Sequence, residues 1–463
     1  MPNFQSTLLE DSNSEEIPRN VDSLSAKQGK ERNQRLKRNV LVSLAVRVAG
    51  VLIPLITVPF LLRYLGKEFY GIYEVLSAFA VLLGLGNSGL SYGLMNFLSV
   101  CYAERDHERA KQLVSTFLAA SIVLLGIIAV IGVMGAFALP WAKILKLSSL
   151  APGKDLPWAV CLAVVCTSLM IFCGILDAVY GAFQNFAAIS VWDAASKCSA
   201  TIGIIAVSYT KMGLGGAVLA GIGVPAIIKL WGVIDLFHFR LPELRPRLSL
   251  YRSHFLRSLL VDGGLLLLLT TAFAGIFQVD KIFLGILLGP KPVAEFSILG
   301  KIFLLSAGIF ALLLRSLWPA YCEAFHRKDF GWIRRWLSLT LVAGVVINCV
   351  TGIVLCSLKK PLYKLWLGDA ATVPGYAVIL SFTACFLMFS WMTAHGAVLN
   401  AARILKPQLV VLGTHTILTI VIMPVLITRW KTSGAACAPF LAGLLTSAWG
   451  YPFLVRKYVF SCE

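Results

Sequence analysis

Twelve long apolar stretches are the feature that most constrains this chain. Each is close to 20 residues or longer, the length that a helix needs to cross a hydrocarbon layer of roughly 30 Å. A water-soluble fold could not bury so much apolar surface, because 58% of the 463 residues are hydrophobic and only 14% are charged. We therefore predict an all-α polytopic membrane protein of about twelve transmembrane helices in two six-helix lobes. The predicted spans are residues 40–62, 74–99, 113–139, 157–182, 189–208, 213–237, 258–287, 296–319, 336–358, 375–399, 409–428 and 435–455.

The spans divide the chain into four predicted parts. Residues 1–39 are polar and lack the apolar core of a secretory signal, which predicts a disordered cytoplasmic tail. Residues 40–237 form the first six-helix lobe and residues 258–463 the second. Between them, residues 238–257 carry five arginines and form a predicted basic cytoplasmic linker.

The distribution of cations predicts the orientation. Of the 41 Lys and Arg residues, 23 fall on the side of the amino terminus and 12 on the other side. Positive loops are retained in the cytoplasm, so both termini are expected there. The cations are spread over short connections rather than gathered in a basic domain, so the net charge of +18 does not indicate nucleic-acid binding.

An internal repeat supports the two-lobe prediction. Residues 65–73 and 288–296 both fit the pattern L-G-x4-small-x-aromatic, 223 residues apart. The same offset places Arg105-Asp106 on Lys328-Asp329 and Lys111 on Arg334. Because each half holds an even number of helices, the two copies are expected to share one orientation, related by an axis along the membrane normal.

Four segments carry a resemblance to a known family. They are Pro59–Tyr73 (PFLLRYLGKEFYGIY), Leu83–Leu94 (LGLGNSGLSYGL), the charged loop Glu104–Val114, and Asp280–Gly289 (DKIFLGILLG). In order and spacing they resemble the polysaccharide transporters of the multidrug/oligosaccharidyl-lipid/polysaccharide (MOP) exporter superfamily, the Wzx-type O-antigen flippases. Many relatives carry an aspartate where this chain has Asn87 or Ser88, which argues against a proton-coupling carboxylate on the second helix.

The resemblance implies a fold and an activity. It implies a MATE-like scaffold in a bacterial cytoplasmic membrane that flips polyprenyl-pyrophosphate-linked oligosaccharide by alternating access, for surface polysaccharide synthesis. The expected partners are the lipid-linked oligosaccharide, membrane lipid, and a polysaccharide polymerase and glycosyltransferases. No cofactor or metal is expected.

Charged residues inside the spans are the candidate site residues, since an ion within the bilayer is costly and usually faces a cavity or a partner. Lys301 and Arg47 lie deeper than Lys229, Lys281 and Arg315 and are predicted to line an anion-binding cleft, with a local pair or a carbonyl contact as the alternative. Lys229, Lys281 and Arg315 are further candidates, for which snorkelling to the headgroups is the alternative. The full set of candidates is Lys301, Arg47, Lys197, Arg315, Lys229 and Lys281 for a cationic cavity, and Asp280, Asp177 and Asp193 for ion coupling.

One local pair is predicted from spacing alone. Asp193 precedes Lys197 by four residues, which places both on one helix face and favours an ion pair between them. Such a pair would neutralise Lys197 and weaken its case as a substrate-binding cation.

Bends are expected where proline and glycine interrupt the helices. Pro54, Pro59 and Pro225 remove backbone hydrogen bonds from their helices. Four glycines, at positions 84, 86, 89 and 93, either loosen the second helix or let another helix approach closely. The sequence leaves both interpretations of the glycines open.

Two alternatives compete with the flippase. An ion-coupled multidrug antiporter would use the same scaffold with an acidic and aromatic cavity. A membrane glycosyltransferase or polymerase is less favoured, because residues 140–156 and 359–374, the longest outer loops, hold one acid each. The chain also lacks the G-x4-G-K-[ST] and H-E-x-x-H motifs, so no enzyme activity is predicted.

Overall fold

The computed structural model of the protein describes residues 20–147, 155–368 and 372–460. Apolar helices fill this part of the chain, in agreement with the predicted fold class. Two continuous stretches, Asn20–Gly84 and Leu405–Leu445, are each divided by one residue with a non-helical backbone, Gly66 and Lys431. We number the resulting helices α1 (20–65), α2 (67–104), α3 (His107–Ala138), α4 (Asp155–Ala182), α5 (Phe186–Ser208), α6 (Gly213–Arg240), α7 (Ser253–Leu288), α8 (Pro290–His326), α9 (Phe330–Leu367), α10 (Tyr376–Ala401), α11 (405–430) and α12 (432–458).

Helix length and composition account for about twelve crossings. Within the described ranges, nine stretches are long and apolar enough to span a membrane. Two of them, Leu55–Glu104 and Leu405–Tyr458, are 50 and 54 residues long, more than twice what one crossing needs at about 1.5 Å per residue, and each contains a break. Each therefore holds two crossings, and α5, which carries Asp193 and Lys197, completes the set.

Left-handed backbone residues confirm the internal repeat. The described part of the chain has ten residues with positive φ, and one falls in each of the ten connections within the two halves. They form five pairs at nearly constant offsets: Gly66 with Gly289, Arg105 with Lys328, Lys146 with Gly368, Gln184 with Arg403, and Gly213 with Lys431. The two halves therefore share the same turns as well as the same helices.

The α2–α3 and α8–α9 connections have the same helix cap. Asp106 caps α3 by accepting a hydrogen bond from the Arg109 amide at 3.0 Å, and Asp329 caps α9 by accepting one from the Trp332 amide at 3.0 Å. An aspartate at this position satisfies a free amide in the first turn of a helix. The predicted correspondence of Asp106 with Asp329 is confirmed.

The buried core shows how the lobes meet. At the end where Gly66 and Gly289 lie, here called the Gly66 end, apolar side chains of both halves form one continuous core that includes Tyr70, Leu284 and Phe296. Towards the end that carries residues 238–257, here called the linker end, the core divides. One part consists of first-half side chains together with Leu259 of α7, and the other part consists of second-half side chains. The lobes are therefore joined at the Gly66 end and packed separately towards the linker end.

Glycines form the seam that α2 makes with α7 and with the start of α8. A Cβ on Gly71 would collide with the Pro290 carbonyl oxygen, and one on Gly93 would collide with the Leu259 carbonyl oxygen. Gly89 and Gly263 face each other in the same seam, where only a hydrogen fits. Of the two interpretations of the α2 glycines, close packing holds for Gly89 and Gly93. A Cβ on Gly84, by contrast, would meet no described atom within 4 Å.

The predicted tail and linker are partly described. Residues 1–19 lie outside the described residues, and helix α1 begins at Asn20 rather than near residue 40. The linker contains two short 3₁₀ turns, Pro242–Leu244 and Leu248–Leu250, and α7 begins at Ser253. Division of the chain into lobes at these boundaries, with both termini in the cytoplasm, stays a prediction.

Candidate functional site

An ion pair joins the two lobes close to the Gly66 end. Helix α2 begins after Gly66, and Glu74 lies about two turns into it, one turn beyond Tyr70. The Tyr70 hydroxyl donates a hydrogen bond to Glu74 Oε1 at 3.0 Å, and Lys301 Nζ of α8 lies 3.1 Å from the same oxygen. The Glu74 side chain is 3% exposed and that of Lys301 is 23% exposed. Lys301 therefore reaches the edge of the junction, whereas its partner is fully covered.

A small cavity adjoins this pair in the second lobe. It measures about 70 Å³ and is lined by Asp280, Lys281 and Lys301, together with apolar side chains of α8, α10 and α12. Lys281 Nζ donates to Gln278 Oε1 at 3.1 Å, and the Asp280 carboxylate accepts the Lys281 amide at 2.7 Å. This volume holds a few water molecules but no sugar. The cavity is therefore suited to an ion or to water, and a larger substrate would need the lobes to move.

A second charged cluster lies inside the first lobe. Lys229 of α6 is buried, and its Nζ lies 3.0 Å from Asp177 Oδ1 and 2.6 Å from Asp193 Oδ1. The predicted Asp193–Lys197 pair is therefore wrong, because α6 brings Lys229 closer to Asp193 than the neighbouring turn of α5 brings Lys197. Snorkelling of Lys229 is also ruled out by this geometry. Two carboxylates share one ammonium group, so Asp177 and Asp193 carry a net charge of −1 with Lys229.

The remaining candidates lie apart from these clusters. Lys197 is exposed, and its Nζ lies 2.9 Å from where a Cβ of Gly50 on α1 would stand. Arg315 is exposed on α8, 14 residues after Lys301, which places both on nearly the same helix face about 21 Å apart along the axis. The side chain of Arg47 lies outside the described residues.

Contacts between the lobes close the Gly66 end. Lys67 Nζ donates to Thr372 Oγ1 at 2.8 Å, and Lys146 Nζ donates to the Leu287 carbonyl oxygen at 2.7 Å. The Trp366 indole donates to the Leu55 carbonyl oxygen of α1 at 2.7 Å. Each of these bonds joins the first half to the second, so the lobes are fastened together at this end.

Sequence reasoning found Lys301 but missed its partner. Glu74 is the first residue of a predicted apolar run, a position where an acidic residue is usually assigned to the preceding loop. In the structure, α2 begins well before it. The Tyr70–Glu74 spacing of four residues was the signal that could have found it, because it puts a hydroxyl donor on the same helix face as a carboxylate. Among the described residues, no group of three or more His, Cys, Asp or Glu side chains could hold a metal ion.

Two matched six-helix lobes, joined at one end around a buried interlobe ion pair, define a polytopic membrane protein of the transporter class. The chain belongs to the polysaccharide biosynthesis protein family, whose family model matches residues 36–325. This confirms the family resemblance drawn from the motifs.

Curated relatives and solved structures agree with this assignment. The chain is 22% identical to a Salmonella typhimurium protein named as an O-antigen transporter, over 88% of this chain and 92% of that protein. It is 24% identical to a Yersinia pseudotuberculosis protein named for O-antigen export, over 50% of this chain and 52% of that protein.

The fold is that of the MOP superfamily. An inward-facing multidrug-resistance MATE transporter aligns over 90% of this chain and 99% of its own, with a TM-score of 0.73 and 13% identity. The lipid II flippase MurJ aligns over 90% of this chain and 87% of its own, with a TM-score of 0.68 and 12% identity. The MATE-like two-lobe scaffold expected from the sequence is confirmed.

Proposed function

We propose that this protein flips a polyprenyl-pyrophosphate-linked oligosaccharide across the bacterial cytoplasmic membrane for surface polysaccharide synthesis. Membership of the polysaccharide biosynthesis family supports this, as do relatives named for O-antigen transport. The observation that carries the mechanism is the Glu74–Lys301 pair, which joins α2 to α8 within the shared core of the two lobes. With both termini in the cytoplasm, the closed Gly66 end faces outward and the linker end faces inward.

Lys301 is the proposed contact for the substrate pyrophosphate. Its ammonium group is held by one carboxylate and is partly exposed, so an entering anion can compete with Glu74 for it. Arg315, on nearly the same face of α8 and closer to the linker end, would attract the anion first. Arg47 of α1 and Lys281 are proposed to add positive charge to the cleft, with Lys197 and Lys229 as the remaining candidates.

Competition for Lys301 links substrate binding to lobe movement. When the pyrophosphate binds the Lys301 ammonium, Glu74 loses its partner, and a buried carboxylate without a counter-charge is costly. Relief of that cost favours separation of the lobes at the Gly66 end, which would expose the site to the outer side. The sugars would cross in the water-filled cleft, while the lipid chain stays in the bilayer.

Asp280 is the preferred candidate for ion coupling. Glu74, Asp280, Lys281 and Lys301 carry no net charge when all four are ionised, and the cavity lined by the last three admits water. A proton on Asp280 would leave a net charge of +1 and strengthen binding of an anionic head group. Asp177 and Asp193 are weaker candidates, since Lys229 already satisfies both.

Complementation with a matched control tests the function. In a strain that lacks its native O-antigen flippase, Lys301→Ala should abolish surface polysaccharide even when output is expressed per amount of protein in the membrane, which corrects for the stability that the variant loses. The control is Arg327→Ala, which removes an exposed cation paired with Glu323 one turn away. Equal polysaccharide output from Lys301→Ala and from the wild type would refute the assignment. Transport of a fluorescent lipid-linked oligosaccharide in proteoliposomes tests the activity directly.

A further inference from the structure

An apolar groove runs along the junction of the two halves at the linker end. Its volume is about 670 Å³, and it is lined by Leu90, Ala119, Ala120, Val123, Leu124, Ile127, Leu248, Tyr251, Leu256 and Leu260. These side chains come from α2, α3, the linker and α7, so both halves and the connection between them build it. Val123, Leu248 and Leu260 are more than half exposed, so an apolar molecule bound in the groove would bury them.

Two hydrogen bonds hold the linker against α3 and so fix the position of the linker residues that line the groove. The amide of Arg247 donates to Ser115 Oγ at 3.0 Å, and the amide of Arg252 donates to Thr116 Oγ1 at 3.1 Å. Both hydroxyls are buried and donate in turn to carbonyl oxygens one turn earlier in α3, so each is satisfied as donor and acceptor. Leu248 and Tyr251, between the two anchored residues, are thereby held at the end of the groove.

Arginines stand next in sequence to the groove-lining residues of the linker and of the start of α7. Arg245, Arg247, Arg252 and Arg257 are exposed, and none of the four guanidinium groups has a carboxylate partner within the described part of the chain. The linker contains one acid, Glu243. One guanidinium group can bind two phosphate oxygens at once, so exposed arginines without a carboxylate partner favour an anion of high charge density.

We propose that the groove binds the polyisoprenoid chain of the substrate, with its pyrophosphate held by the linker arginines before the head group enters the cleft. The inference rests on the proposed function. An uncharged groove whose lining residues alternate in sequence with exposed arginines is complementary to a long hydrocarbon chain that ends in a pyrophosphate. Because residues of both halves line the groove, a change in the relative position of the halves would change how well a bound molecule fits.

Photo-crosslinking tests the groove without requiring transport. The full-length protein in nanodiscs is incubated with a sugar-free polyisoprenyl pyrophosphate that carries a diazirine on its chain, and labelled peptides are mapped by mass spectrometry. We expect labelling of the segments 119–127 and 248–260. Ala120→Trp, which fills the groove, should weaken binding about tenfold, as should the double change Arg247→Ala/Arg252→Ala, which removes two charge-assisted contacts.

The repeat supplies the matched control. Ala343 on α9 lies 223 residues after Ala120 and is its counterpart in the second half, so Ala343→Trp adds the same bulk elsewhere and should leave binding unchanged. Equal labelling by a phosphatidylglycerol with the diazirine on its acyl chain would overturn the inference, because the groove would then hold ordinary anionic lipid. So would wild-type labelling in Ala120→Trp.

The same proteins separate this inference from the proposed function. If the wild type labels in the groove but moves no lipid-linked oligosaccharide in proteoliposomes, the groove stands and the transport assignment fails. If the wild type transports and Ala120→Trp both labels and transports normally, the transport assignment stands and the groove fails.

Discussion

Glu74 and Lys301 form an ion pair that the internal repeat does not duplicate. The offset of 223 residues maps Glu74 onto Ser297 and Lys301 onto Ala78, so the symmetry-related contact between α2 and α8 has no charge. The turns and helix caps occur in both halves, whereas the charged contact between α2 and α8 occurs once. A feature that departs from the repeat in this way is a reason to assign it a role in transport rather than in folding.

Removal of either partner should cost more than removal of both. Glu74→Gln or Lys301→Gln leaves one charge without its partner, and we expect each to lower the free energy of unfolding by about 3 kcal/mol. The double variant should recover part of this loss, with a coupling energy of about 1–3 kcal/mol. Thermal unfolding of the four proteins in detergent measures the cycle. Additive losses would mean that the two side chains do not interact.

We expect Lys229 to stabilise the folded first lobe. Lys229→Met leaves Asp177 and Asp193 facing each other without a cation, so we expect a loss of about 3–5 kcal/mol and a sharp drop in membrane abundance. The triple variant that also carries Asp177→Asn and Asp193→Asn removes the repulsion and should regain abundance. Quantitative immunoblots of membranes compare the two. Normal abundance of Lys229→Met would contradict the charge cluster.

Two adjacent glycines of α7 should respond differently to the same change. A Cβ on Gly263 would meet the Gly89 carbonyl oxygen, whereas a Cβ on Gly264 would meet no described atom within 4 Å. Gly263→Ala should therefore force α2 and α7 apart and lower the melting temperature. Gly264→Ala should be neutral or stabilise by up to about 1 kcal/mol through helix propensity. Similar melting temperatures for both variants would argue against the tight seam.

The linker anchors should contribute a modest, measurable stability. Ser115→Ala removes the acceptor for the Arg247 amide, and we expect a loss of about 1–2 kcal/mol because that amide lies against a buried surface. Hydrogen exchange of residues 247–252 should rise in this variant, with Ser338→Ala, the repeat counterpart on α9, as the control. Unchanged exchange in Ser115→Ala would show that the linker is held by other contacts.

Local sequence patterns predicted the helices and their repeat, because the length of an apolar run and the residues of a turn depend only on neighbours in the chain. The L-G pattern correctly marked Gly66 and Gly289, whose left-handed backbone requires a residue without a side chain. Depth along a helix also singled out Lys301, which is the partner of a buried carboxylate.

Partners that lie far apart in the chain were beyond the same reasoning. The Glu74–Lys301 pair joins residues 227 positions apart, and only the packing of α2 on α8 brings them together. The Asp193–Lys197 prediction failed for the same reason, since spacing within α5 says nothing of the Lys229 ammonium that α6 supplies. The groove depends on three helices and the linker, and no single segment of sequence marks it.

A reversible crosslink at the Gly66 end tests alternating access most directly. A Cβ on Gly285 of α7 would lie 3.0 Å from Val75 Cγ2 of α2, so Val75→Cys with Gly285→Cys places two thiols within reach of a disulfide that fastens the lobes together. Transport of a fluorescent lipid-linked oligosaccharide is measured in proteoliposomes before oxidation, after oxidation and after reduction, with each single cysteine variant as a control. We predict that oxidation stops transport in the double variant alone and that reduction restores it. Undiminished transport by the fully crosslinked protein would contradict opening at the Gly66 end and, with it, the proposed mechanism.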